Sequence, residues 1–203
     1  MKKQLIAWTA CLFVACVSTS EKKEVYFGRV DGAPAMECLP DLDIDRKELS
    51  PRMRGAMEIA AASFQRPAPP PPEDRAADAI SRWSQGPFHE WLQWKTQVVV
   101  SARRELDLAA EENHRQRILS GALVGMMYED LARTLLKVPM PEDLDDEPEV
   151  RAAFENVRKE EARPFLEFSQ AAYRACAANA KQLPGMRQFV DFCQGRLERL
   201  PSL

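Results

Sequence analysis

Histidine is almost missing from this chain: His89 and His114 are the only two in 203 residues. His89-Glu90 begins like His-Glu-x-x-His, but position 93 is Gln93, so the second zinc ligand of that helical motif is not there. No histidine base stands in a recognisable arrangement with a serine or cysteine nucleophile. Glycine is also scarce, at 8, and no glycine-rich loop is available to bring backbone amides close to a phosphate. Asp41, Asp43 and Asp45 open like a calcium loop. Arg46 then stands where the loop needs glycine, and Arg52 where it needs a bidentate glutamate. The acidic run 142–147 and the pairs Glu111-Glu112 and Glu160-Glu161 read as solvated surface, with no cleft implied. No metal and no cofactor is therefore expected. Basic residues number 28 against 31 acidic, without a basic block, which argues against a nucleic-acid partner. There is no sustained two-residue alternation of the kind strands show, so the expected class is all-α.

The longest uncharged stretch lies at the start. Lys2 and Lys3 precede a mostly apolar run over 5–15, then Cys16, then a polar run from Val17 to Glu24. A basic start, a short apolar segment and a small residue at the boundary describe a secretory signal over 1–15. A membrane-spanning helix needs about 20 apolar residues, so this run is too short for one. Leu12-Phe13-Val14-Ala15-Cys16 resembles the lipobox of bacterial lipoproteins, with Phe13 where that family usually has leucine. The resemblance implies that Cys16 receives a diacylglyceryl group, that the signal is cut just before it, and that the new amino terminus is acylated. It implies an exported protein anchored to a membrane, the outer membrane facing the periplasm being the expected one. Loss of Lys2 and Lys3 takes the formal net charge from −3 to −5. No polybasic segment then remains to hold anionic lipid, and the acyl chains carry the anchoring.

Beyond Cys16, residues 16–50 read as a flexible tether, polar and broken by Gly28, Gly32, Pro34 and Pro40, with Val25-Tyr26-Phe27 as one short strand candidate. Ser50-Pro51 is a helix start, a capping serine followed by proline at the first helical position, and predicts a short helix over 51–66. Pro67-Ala68-Pro69-Pro70-Pro71-Pro72 admits no helix and reads as a stiff polyproline spacer, a sequence type that aromatic-lined domains also bind. Residues 73–203 form the helical domain, expected as antiparallel hairpins or a bundle behind the tether. Gly86-Pro87 separates its first two helices. Lys95 is the one polar interruption of an apolar face running from Phe88 to Ala109. The helix from about 114 to 137 is either separate from that one or continuous with it. Pro164 is expected to break the following helix or begin another, leaving final helices at about 165–182 and 187–199.

Cys38, Cys176 and Cys193 remain once the signal and Cys16 are set aside. Cys176 and Cys193 are equally distant from the Pro184-Gly185 turn, so in an antiparallel hairpin they stand at one height, within reach of a disulfide. Export permits that bond. Trp94 falls at the edge of the apolar face that Phe88 and Trp91 share, which makes it a candidate anchor for a partner. The pattern Leu123 to Arg133, Pro139-Met140-Pro141, Ala171 to Cys176 and Phe192-Cys193 resembles the C-terminal helical module of uncharacterised myxobacterial envelope proteins that carry tetratricopeptide-like repeats. It covers about 115–203 and implies location and shape, not chemistry. No 34-residue repeat is present here. The expectation is a non-enzymatic, membrane-anchored envelope lipoprotein with a protein partner, possible settings being motility or secretion complexes. The alternatives are an envelope enzyme acting on peptidoglycan or another polymer, and a small-ligand carrier.

Overall fold

Ser50 starts the first helix: its Oγ accepts from the Met53 amide at 3.0 Å, and Pro51 takes the first helical position, where no amide is needed. In this computed structural model the described residues are 39–40, 49–144 and 146–201. The signal over 1–15, Cys16, the strand candidate at 25–27 and Cys38 lie outside them. Six α-helices follow in order: α1 Pro51–Gln65, α2 Ala77–Trp83, α3 His89–Ala110, α4 His114–Leu135, α5 Pro148–Lys181 and α6 Arg187–Glu198. The described residues contain no strand, and the class is all-α.

Two of the junctions are written in local chemistry. Between α2 and α3 the chain makes a wide turn over Ser84–Phe88 and kinks at Gly86, whose backbone leaves the helical region (φ −102, ψ −106) just before Pro87. Between α3 and α4 the helix breaks at 111–113. Asn113 is extended there, and its Oδ1 accepts from the Gln116 amide at 2.9 Å, so the two helices are separate.

Helix α4 is the centre of the fold. Ile118, Leu119, Ala122, Leu123, Val124, Met126, Met127, Tyr128 and Leu131 are all buried, which leaves it apolar nearly all round, as a helix enclosed by others must be. It packs mainly on α3 and α5, while α1 lies on α3 and α6 on α5. The approach to α5 is close because α4 presents Gly121 and Gly125 there. The Ser169 hydroxyl of α5 donates to the Gly125 carbonyl at 2.9 Å. A smaller cluster of Trp83, Phe88, Trp91, Ala132, Leu135, Ala162 and Leu166 closes one end.

Three sequence-based boundaries are corrected by this packing. Residues 51–66 are not set apart from 73–203: Met53, Ala56, Met57, Ala60 and Ala61 of α1 belong to the same core as α3 and α4. The 67–72 segment therefore connects two parts of one domain rather than spacing two modules. Leu39 and Leu49 are buried in that core as well, so the presumed tether over 16–50 is docked before it ends. Pro164 neither breaks α5 nor begins a new helix: α5 runs without interruption through it. A proline inside a helix costs about 3 kcal/mol through a lost hydrogen bond and a clash. Here Pro164 and Glu160, the residue whose carbonyl loses its partner, both lie on the exposed side of the helix. Ala162, Leu166, Ser169 and Tyr173, spaced by four, three and four, keep one face of α5 against α4 across the proline.

Candidate functional site

The hairpin of α5 and α6 turns at Gly185, which has φ +84, a backbone position open to glycine at no steric cost. Cys176 and Cys193 face each other across it at disulfide distance, with Cα atoms 6.3 Å apart, and both are buried. The reasoning from equal distance to the turn thus identified the pair that the fold brings together.

About one turn from Cys176 and Cys193, at Tyr173 and Arg196, the same helices hold a carboxylate in the core. Glu129 of α4 is only 2% exposed. Its Oε1 accepts from Arg133 Nε at 2.7 Å, and its Oε2 accepts from the Tyr173 hydroxyl at 2.7 Å. Arg196 of α6 stands 3.0 Å from Oε2, and its Nε donates to the Tyr173 oxygen at 3.3 Å. Arg133 also donates to the Arg199 carbonyl at 2.7 Å, tying α4 to the end of α6. Burial, with the Glu129 carboxylate beside it, holds the Tyr173 phenol well above its ordinary range. A buried charge is tolerable only when paired and hydrogen-bonded, and here both oxygens are engaged by three neighbours. A general base needs a lone pair directed at a substrate; this one directs both oxygens at α4, α5 and α6. Its physical effect is to fix the register of three helices.

Lys95 is the second buried charge, at 1% exposure. The sequence marked it only as an interruption of an apolar face. Its ammonium donates to the Ser63 carbonyl of α1 and to Asp130 Oδ2 of α4 at 2.6 Å, and it lies 5.1 Å from the centre of the Phe64 ring. It joins α1, α3 and α4. At the corner of the same helices the buried Gln116 accepts from the Ser50 amide at 2.8 Å and donates to the Ala109 carbonyl at 3.0 Å.

Trp91, Phe88 and Trp83 are buried, with ring centres 5.7 Å apart for Phe88 and Trp91 and 4.6 Å for Trp83 and Phe88. Trp94 is half-buried at the edge of this cluster, and the Arg66 guanidinium lies 5.1 Å from its ring centre. His89 is exposed and pairs with Gln93, Nε2 to Nε2 at 2.9 Å. Among the described residues no group of three His, Cys, Asp or Glu side chains is placed to hold a metal ion, and no helix is long and apolar enough to cross a membrane.

Glu129 and Tyr173 were missed in the sequence because a single glutamate in an apolar helix resembles an edge residue. The available signal was its helical surroundings: Gly125, Met126 and Ala132, a turn away on either side, are apolar, and only Asp130 beside it and Arg133 a turn on are charged. No family model, curated protein or solved structure matches this chain.

Proposed function

We propose that this chain is a membrane-anchored lipoprotein of the bacterial cell envelope, attached through acyl chains on Cys16, which acts by binding another envelope protein rather than by catalysis. The observation that carries this reading is the boundary Leu12-Phe13-Val14-Ala15-Cys16 behind a basic start and a short apolar run. Two features of the folded part support it. The buried ionisable groups, Glu129 and Lys95, are engaged by neighbouring helices and serve to hold the helices together. Leu39 is the first core residue among the described ones, and 22 residues separate it from Cys16. Those residues span at most about 80 Å when fully extended. A head on such a leash meets partners close to its own membrane at raised effective concentration.

The test is expression in a lipoprotein-processing bacterium with a labelled fatty acid. The wild type should take up label and sediment with membranes, and Cys16→Ala should do neither. Equal labelling and sedimentation of the two would overturn the anchoring. Photo-crosslinkers at exposed positions of the head in the native cell should then give one discrete adduct with a membrane or periplasmic protein. Hydrolysis of peptidoglycan by the purified chain, well above background, would overturn the binding role.

A further inference from the structure

The 66–72 segment is a marked sequence feature that the anchor reading does not use. A polyproline helix has three residues per turn and so presents three ridges. Beyond Arg66, which is itself exposed, exposure along the segment keeps that count. Pro67, Pro70 and Glu73 are exposed, while Ala68 and Pro69, then Pro71 and Pro72, are half-buried. One ridge faces water and two face the protein. Ala68 packs on the cluster that Trp83, Phe88 and Trp91 form with Ala132, Leu135, Ala162 and Leu166, and Trp94 lies at its edge. At the head of the segment Trp91 Nε1 donates to the Arg66 carbonyl at 3.0 Å, while the Arg66 guanidinium covers Trp94. A polyproline backbone makes no internal hydrogen bonds, so its carbonyls are open to such donors. Aromatic-lined grooves read proline-rich segments with apolar ring faces, and an indole adds a donor at their rim. Trp83 carries a second indole donor in the same cluster, and its Nε1 is buried with no acceptor among the described residues.

We propose that this aromatic face is a polyproline-binding groove, occupied in cis by residues 66–72, and that a proline-rich segment of a partner protein binds it by displacing them. The occupant is covalently tethered at an effective concentration on the order of millimolar, which keeps the intact chain closed to a weak ligand in trans. Helix α1 is held by its own contacts with α3 and α4, so the segment can lift while α1 stays docked. The groove does not depend on how the chain is anchored, and its test is separate from that of Cys16.

The experiment compares the full chain with a variant carrying P69G, P71G and P72G. The probe is a synthetic peptide of the chain's own residues 66–72, and the control is the same peptide with glycine for proline. The variant should bind the probe at least about tenfold more tightly than the wild type, because the competing cis occupant is weakened. Adding W91F, which keeps a ring and removes the donor, should reverse that gain. A folded variant that binds no more tightly than the wild type overturns the proposal, as does binding that survives W91F or extends equally to the control. Dimerisation of the variant without probe would assign the groove to a second copy and overturn it too. Should the variant lose its helical circular dichroism, millimolar probe added to the wild type should shift the indole N–H resonances of Trp83 and Trp91. Resonances that stay in place overturn the proposal.

Discussion

Gly125→Ala adds one methyl group at the tightest point between α4 and α5. A Cβ built at Gly125 would stand 2.5 Å from Tyr173 Cε1, 2.6 Å from Cδ1 and 2.9 Å from Cζ. Those atoms belong to a rigid ring that is fully buried, so it has no free space to swing into. Overpacking of this kind costs about 1–3 kcal/mol. Moving the ring also draws its hydroxyl from Glu129, leaving a buried carboxylate one hydrogen bond short, for about 1–3 kcal/mol more. Alanine is the better helix former by about 1 kcal/mol, which offsets part of this. The net expected loss is about 1–5 kcal/mol, read by urea unfolding monitored by circular dichroism. Gly55 in α1 is the internal control. A Cβ there meets nothing within 4 Å, so Gly55→Ala keeps the helix gain and should stabilise by up to about 1 kcal/mol. The reasoning is refuted if Gly125→Ala leaves the midpoint unchanged or raises it, or if the two substitutions shift it alike.

Two other outcomes follow from the same interface. Cys176 and Cys193 should be recovered as one linked peptide pair when the exported protein is mapped without reduction, and replacing both by alanine should cost about 3 kcal/mol in the chain-entropy account; free thiols in fresh material, or Cys38 joined to either, would contradict this. Tyr173 is held above its ordinary value, so the folded state favours the neutral phenol. The stability this carries is fully present below the unfolded value of about 10 and is lost as pH rises beyond it. Tyr173→Phe should therefore be less stable than the wild type at neutral pH and show a shallower loss between about pH 9 and 11. An unchanged alkaline slope in that variant would show that Tyr173 does not carry the effect.

The approximate ends of most helices, though not their number, were legible in the sequence, because a 3.6-residue apolar period and local caps act within one turn. Ser50 with Pro51, the Gly86-Pro87 kink and the Pro184-Gly185 turn are of this kind. The pairing of Cys176 with Cys193 was legible too, since a short turn between two helices leaves one antiparallel arrangement and sets their relative height. What the period does not encode is which neighbour covers an apolar face. The stripe of Met53, Met57 and Ala60 gave no sign that it belongs to the core of α3 and α4, which lie beyond the proline and alanine segment 67–72 and α2. Pro164 misled for a related reason: its local penalty of about 3 kcal/mol is read from one residue, whereas the contacts that outweigh it come from four side chains set against α4. Glu129 and Lys95 are polar letters on apolar helix faces, and apart from Arg133 their partners stand 32 to 67 positions away. By itself the sequence determined most helix ends, the cysteine pair and the lipobox resemblance. Only the tertiary structure decided that α1 joins the head, that α5 is one helix and that two charges lie inside, because burial and pairing are properties of distant segments meeting in space.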